Sequence, residues 1–462
     1  MPAQNWARSQ TFHPRHLERP GSTAEVSRIV ASAAAAGHRV KAIGSGHSFT
    51  AIADTDGILL DLSRLRGALA VDPDAGLVTI AAGSTLAEVN ELLAGHGLGL
   101  ANLGDIDRQT LAGAVSTGTH GTGLRFPSLA GQVVGIRMVL ADGSLLDCGS
   151  VLDPGPGLPI TVRESGASAS TEKIGTPASR PDLLDAATIG LGALGVVTAI
   201  TLRCQPAFDL HAVEGPAPLP SLLEHLDDLL AHNEHCEFYW FPHTGRTLLK
   251  RNNRALSSTP RRPTGLARTV GTWWEDELLG NVAFEAGNVI GTVLPGFRPM
   301  FNQVASRALS PRRYVDRSDR VFCSPRRVRF REMEYALPRA ALPEVLSEIR
   351  GWIDRSGELV SFPVEVRFGP ADEGWLSTAY RRETAYVAVH QYFRVPYERY
   401  FRAVERIVAE VDGRPHWGKL HWLDADRLRQ LYPRFEDFRR LRAELDPDGL
   451  FGNAYLDRIL GP

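Results

Sequence analysis

Cysteine is scarce: four residues in 462, at positions 148, 204, 236 and 323, with no CxxC pair and no dense short frame. That scatter excludes a zinc ribbon and a disulfide-stapled scaffold, and it suits a reducing compartment. A long hydrophobic run is missing too. The longest candidate, Leu183 to Leu202, contains Asp185 and is cut by Gly190, Gly192 and Gly195, so it reads as elements joined by a turn and not as a ~20-residue membrane span. Met1 to Arg19 lacks the apolar segment of a secretory signal. A cytoplasmic protein without a stable membrane anchor is expected. Nor is one sign of charge in excess, since 51 basic and 53 acidic side chains leave a formal charge of −2. No global field recruits nucleic acid or anionic lipid, and small neutral ligands fit better. The doublets Arg312-Arg313 and Arg326-Arg327 are read as solvated surface.

What is present is enough chain for two domains, because single hydrophobic cores stop growing near ~250–300 residues. Ser22-Thr23-Ala24-Glu25 has the form of a capping box, and Val26, Ile29, Val30 and Ala33 follow at helical spacing. Arg39 to Ile43 reads as a strand that feeds the loop Gly44-Ser45-Gly46-His47-Ser48, with further strands at Ile58 to Leu62 and Leu77 to Ala82. Thr85 and Glu88 can cap a helix running through Leu93. The pattern to about Arg203 is α+β. Leu152 to Pro181 is rich in Pro, Gly, Ser and Thr and reads as a surface insertion, and Arg254 to Gly271 as an exposed loop. A second region follows a linker near Pro206. It holds helices around Leu222 to Ala231, Leu337 to Trp352 and Tyr397 to Val411, and strands at Glu237 to Phe241, Arg329 to Tyr335 and Tyr386 to Phe393.

Three glycine-rich loops fall in the first region. Gly44 to Ser48 lets backbone N–H groups converge on an anion, with Ser48 adding a hydroxyl. It is not a Walker loop, and Phe49 stands where a Rossmann GxGxxG needs its last glycine. Alone it fits a tight turn equally well. Ala112 to Gly123 offers many hydroxyls with little bulk, and Gly190 to Gly195 repeats the theme, so the three together point to a long ligand lying across the domain. In the second region Pro363-Val364-Glu365-Val366-Arg367-Phe368 alternates as a strand, which places Glu365 and Arg367 on one face. Spacing alone favours a surface ion pair. No grouping calls for a metal.

These segments together resemble the vanillyl-alcohol oxidase flavoproteins, specifically their aldonolactone and alditol oxidase branch, over nearly the whole chain. The resemblance implies an α+β fold: a PCMH-type FAD-binding domain of two sub-domains over residues 11–205 with the 152–181 insertion, a cap domain with a large antiparallel sheet over 206–440, and a segment, 441–462, that returns to the FAD domain. The ending Asp446-Pro447-Asp448-Gly449-Leu450-Phe451-Gly452-Asn453-Ala454-Tyr455-Leu456 matches that family's pattern and favours a complete protein. By the same resemblance Gly44, Ser45, Gly46, His47 and Ser48 hold FAD, with His47 bonded to the flavin. Thr110 and Gly113 are also cofactor-binding by this resemblance; Ser116, Thr117, Gly118, His120 and Gly121 belong to the T-G-T-H-G segment beside the flavin, and Gly195 and Val196 to the G-A-L-G-V-I segment. Gly104, in Asn102-Leu103-Gly104-Asp105-Ile106, matches the position where glycine accompanies oxidases and alanine a plant-type dehydrogenase branch. Glu365, Arg367 and His390 match the substrate side. His416-Trp417-Gly418-Lys419 is similar to the H-W-x-K signature, whose lysine approaches the flavin, where a fixed ammonium stabilises charge developing on reduction.

The expected activity is FAD-dependent oxidation of the CH–OH group of a sugar-1,4-lactone of the D-arabinono or L-gulono type, with O2 as acceptor and H2O2 as product. Alternatives are an alditol as substrate, a non-oxygen acceptor such as a cytochrome, or a flavin-bearing protein without turnover.

Overall fold

The computed structural model describes residues 3–152, 182–256, 283–324 and 328–462. Most of the 152–181 insertion, residues 257–271 of the Arg254 to Gly271 loop, and Arg326-Arg327 lie outside the described residues.

The first half is built mainly on two sheets, with two short two-stranded pairs beside them. Strands His16–Glu18, Ile58–Asp61 and Val40–Ile43 pair in parallel, with Ile58–Asp61 central. A five-stranded antiparallel sheet runs in the order Leu145–Gly149, Val133–Val139, Val196–Arg203, Leu77–Ala81, Ala68–Asp72. Helix Thr23–Ala35 buries Val26, Val30 and Ala33, the residues its spacing selects. Its cap differs in one arm from the expected box. Ser22 Oγ accepts from Glu25 N at 3.1 Å, but the Glu25 carboxylate accepts from Gly21 N at 2.7 Å and not from Ser22. Helix Leu86–Gly95 has the full reciprocal box, with Thr85 Oγ1 accepting from Glu88 N and Glu88 Oε2 from Thr85 N.

The second half is organised by one eight-stranded antiparallel sheet, in the order Arg312–Arg317, Asp209–Pro218, Arg246–Arg254, His235–Trp240, Val364–Gly369, Thr384–Tyr392, Phe330–Pro338, Arg414–Pro415. Period-two alternation sorts its central strands. Phe238, Trp240, Met333, Tyr335, Val364, Val366, Val387 and Val389 enter an apolar core with helices Leu342–Ser356 and Glu398–Ala409. The intervening residues Tyr239, Glu332, Glu334, Glu365, Arg367 and His390 therefore share the opposite face. The ladder aligns them: Tyr239 opposes Glu365, Glu365 and Glu334 both oppose Ala388, and Glu332 opposes His390. A polar sheet face turned toward the first half makes the site possible.

Three details depart from the sequence reading. Leu337 and Pro338 are not helical; they complete the ladder opposite Ala385 and Thr384, and the helix starts only at Leu342. Pro338, without an N–H to donate, ends the strand. The expected helix at Leu222 to Ala231 is two short helices, Leu219–Glu224 and Leu226–His232, meeting at His225. Near the C-terminus, helices Ala425–Leu431 and Phe435–Leu445 place Leu428, Leu431, Tyr432, Phe435, Phe438 and Leu441 in the first core, so the chain returns there ahead of residue 441.

Candidate active site

Strand Val40–Ile43 delivers the chain into the Gly44 to Ser48 loop, which turns through a left-handed Gly46 at φ 68°. The loop is packed tightly on its neighbour, because a Cβ at Gly44 would come 2.0 Å from Thr110 Oγ1. Among the described residues no hydrogen-bond acceptor meets the amides of Ser45, Gly46, His47 or Ser48. Together with Thr110, Gly113, Ser116, Thr117, Gly192 and Gly195 the loop lines an elongated cavity. Lys41 also borders it and donates to Gly192 O at 3.0 Å and Phe451 O at 3.1 Å. Burial, aided by Arg442, lowers the Lys41 pKa to about 7.

A second cavity of about 420 Å³ continues from the first, and His47, Ser48, Gln109 and Thr117 line both. Its walls carry charge. Arg367 Nε donates to Glu237 Oε2 at 2.9 Å, and its Nη2 meets Glu365 and, at 3.5 Å, Asp105 from the first half. Tyr239 donates to Glu365 Oε1 at 3.1 Å. Lys419 Nζ is bound to Glu332 Oε1, and the same oxygen lies 3.4 Å from His390 Nε2. Trp6 stacks on His47 at 5.7 Å. The union is one channel with neutral donors and small residues at one end and paired charges at the other. That donor set fits FAD: unpartnered amides and hydroxyls suit phosphates, and a cationic side chain with a carboxylate suits the place where a ring is reduced beside a polar substrate.

Electrostatics separate the groups. Burial lowers the His47 pKa to about 4, helped by Lys419 and Arg108, so its imidazole is neutral at pH 7. Burial pushes the Glu332 carboxyl up, but Lys419 and His390 outweigh it and hold it at about 2. Burial likewise opposes the Lys419 charge, and Glu332 and Glu334 overcome it and raise its pKa. For Arg367 the three carboxylates overcome burial and hold it well above its ordinary range.

Of the residues singled out from the sequence, Gly44, Ser45, Gly46, His47, Ser48, Thr110, Gly113, Ser116, Thr117 and Gly195 line the first cavity, and Glu365, Arg367, His390, His416 and Lys419 the second. Gly104, Gly118, His120, Gly121 and Val196 line neither. Each of them packs beside the lining instead. A Cβ at Gly121 would come 2.2 Å from Asn102 Oδ1, so close chain approach explains that glycine. His120 bonds Glu334 Oε1 at 2.8 Å and stacks on Tyr386 at 3.5 Å, joining the halves from behind the cavity wall. Beside them His416 Nδ1 accepts from Gly418 N at 3.1 Å. His120, Glu334 and His416 are close enough to hold an ion, but both His120 nitrogens and His416 Nδ1 are engaged in hydrogen bonds, His120 Nδ1 with Gly121 O at 2.9 Å. Val196 points into the core while Val197 reaches the cavity. Gly104 leaves 3.1 Å to Thr119 Cγ2 for an added Cβ, and its carbonyl accepts from Cys323 Sγ at 3.5 Å. The sequence reading missed Glu332, Glu237, Asp105, Tyr239 and Trp6. Only Glu332 had a usable signal, in Glu332-Met333-Glu334-Tyr335, where two acids share one face of a strand whose other face is apolar.

Comparison with known proteins decides the family, since the D-arabinono-1,4-lactone oxidase family matches residues 200–459 and the FAD binding domain family residues 14–149. The chain belongs to the D-arabinono-1,4-lactone oxidase family. It is an FAD-dependent oxidoreductase. L-gulono-1,4-lactone dehydrogenase of Mycobacterium tuberculosis is 39% identical over 458 residues, covering 99% of each chain. L-gulonolactone oxidase of Bos taurus is 32% identical over 99% of this chain and 97% of its own. Alditol oxidase of a Streptomyces species is 31% identical over 99% and 98%. Among solved structures, cholesterol oxidase from B. sterolicum superposes with a TM-score of 0.76 at 18% identity, covering 100% of this chain and 96% of its own, which shows the shared fold. Among the described residues no helix is long and apolar enough to cross a membrane.

Proposed function

We propose that this protein oxidises the CH–OH carbon of a neutral sugar-1,4-lactone of the D-arabinono or L-gulono type in the cytoplasm, with O2 as the final acceptor and H2O2 as product. One observation carries the substrate class: every cation described in the cleft lining is already paired with a carboxylate. Asp105, Asp107, Glu332 and Glu365 face Arg108, Arg367 and Lys419, and each of these cations has a carboxylate partner. Such a wall offers many hydrogen bonds to hydroxyls and a lactone carbonyl but, among the described residues, no free cation for a carboxylate.

In this reading residues 11–205 and the returning C-terminal helices hold FAD, and the large sheet with its covering helices contributes the substrate side. The loop from Gly44 to Ser48, with Thr110, Gly113, Ser116, Thr117 and Gly195, binds the cofactor, and Gly104, Gly118, His120, Gly121 and Val196 support it from outside the cavity. Bound flavin would supply the acceptor for the hydride that leaves the carbinol carbon. Glu365 and Arg367 bind neighbouring substrate oxygens, the hydroxyl proton leaves to His390, and His416 and Lys419 face the ring, with the ammonium stabilising charge gained on reduction. His47, neutral by burial, keeps a lone pair for bonding the flavin C8 methyl carbon; making that N–C bond removes two electrons and two protons, and the acceptor takes the electrons.

Anaerobic mixing with a lactone panel tests this reading. The aldonolactones are expected to bleach the flavin, their hydrolysed aldonates to leave it oxidised, and air to restore the colour. Equal bleaching by aldonates defeats the charge argument, and bleaching that air does not reverse defeats O2 as acceptor. The dehydrogenase name of the mycobacterial relative favours a second reading in that event, a cytochrome-type acceptor. An alditol that bleaches faster than any lactone moves the substrate to the open-chain class. Acid-precipitated wild-type protein is expected to stay yellow and His47→Ala to release its flavin to the supernatant; release from both removes the covalent bond.

A further inference from the structure

The reading above, on which this inference rests, makes Lys419 the cation beside the flavin, yet the structure does not leave that ammonium free. Glu332 sits on the strand Phe330–Pro338 of the large sheet, its side chain 8% exposed, and one of its oxygens serves Lys419 and His390 together. Glu334, two residues on along the same face, is committed to His120 on the first half and does not substitute for it. We propose that Glu332 is a positioning residue that holds the Lys419 ammonium at the flavin and, by cancelling part of its charge, keeps the flavin's reduction potential low.

The physics is a competition between two charges of opposite sign at one place. A lone buried ammonium would favour the reduced, negatively charged flavin strongly, whereas a carboxylate in contact with it removes most of that preference. Low potential favours passing electrons onward, so the pair trades speed of substrate oxidation for ease of reoxidation. Because Lys419 and His390 hold the Glu332 carboxyl near pH 2, it is ionised throughout the working range and acts as a fixed charge, with no role as a titrating base. A merely structural ion pair, present only to neutralise a buried lysine, would satisfy the same distances. The two cases differ in whether the flavin feels the carboxylate.

Sulfite adds to the oxidised flavin and reports that field with no lactone present. Holoenzyme carrying Glu332→Gln is expected to bind sulfite about tenfold more tightly than wild type, a unit charge at several Å in a partly screened cleft being worth about that factor. A two-electron midpoint potential should rise correspondingly by about 30 mV. Glu332→Asp, which keeps the charge, should stay within about threefold of wild type. Lys419→Met should weaken sulfite binding about tenfold, and E332Q/K419M, in which no buried lysine is left unpaired, should recover it. That double variant carries the test if E332Q alone does not fold. E332Q matching wild type, or the double variant matching K419M, overturns the proposal. A yellow protein that oxidises no lactone fails the functional reading and leaves this test standing, and a protein that binds no flavin sinks both.

Discussion

Arg367→Met is expected to remove about 3–5 kcal/mol of stability, the usual cost of leaving buried charges without their partner, and to abolish flavin bleaching by lactone. Arg367 is in contact with Glu365, Glu237 and Asp105, so a single substitution takes one shared cation from three carboxylates at once. Asp105 comes from the first half and the other two from the central strands of the large sheet, so the same guanidinium also fastens the two walls of the cleft. The damage should be pH-dependent in a defined sense. For Glu237, burial raises the carboxyl pKa while Lys250 and Arg367 lower it. Without Arg367 the balance shifts toward burial, the carboxyl takes up a proton more readily, and the variant's deficit against wild type should shrink as pH falls toward about 5. Arg367→Lys restores a charge but not the planar fork that reaches three partners, so it should recover part of the stability and little of the bleaching. Denaturant unfolding at pH 7.5 and 5.5 together with anaerobic bleaching checks both parts. A variant as stable as wild type at pH 7.5, or one that bleaches at the wild-type rate, removes Arg367 from its assigned role.

The sequence was readable wherever the information is local. Caps at Ser22 and Thr85, the glycine loop after Val40–Ile43, and the shared face of Glu365 and Arg367 all follow from spacing within a few residues. What spacing cannot supply is the partner across the fold. The 87 residues between Lys419 and Glu332, and the 130 between Arg367 and Glu237, are closed by strand order in the large sheet, and nothing in either segment encodes that order by itself. The same limit explains His120. Its ring is bonded to Glu334, on a strand more than two hundred positions away, and nothing within its own motif encodes that bond. Element ends were lost where a strand and a helix abut: Leu337 is apolar and equally at home in either pattern, and only its ladder with Ala385 settles the matter.

Acid should unfold this protein from about pH 6.5 downward, earlier than carboxylate titration alone would bring about. Three histidines outside the covalent question, His235, His416 and His421, are buried in neutral form. His235 Nδ1 donates to Thr122 O at 2.8 Å, so a second proton would sit on an Nε2 that has no partner. His416 Nδ1 accepts from Gly418 N, a bond that protonation there would break, and His421 lies close to Arg458. Burial lowers the first two to about 4 and the third to about 3, from an ordinary 6.5. With folded pKa values below unfolded ones, the unfolded chain binds more protons, so the contribution is whole above pH 6.5 and is lost as pH falls through that window toward 4. Asp372, pushed up to about 6 by burial, works in the opposite direction and offsets roughly one proton below pH 6. The net loss should reach about 4 kcal/mol by pH 5, a large share of the 5–15 kcal/mol that ordinary domains possess. His421→Asn should flatten the slope by about one proton, near 1.4 kcal/mol per pH unit, whatever it does to stability at neutral pH. Denaturant midpoints measured at half-unit steps from pH 7.5 to 5 decide it: a flat profile means these rings accept protons where they stand, and an unchanged slope in His421→Asn takes that residue out of the account.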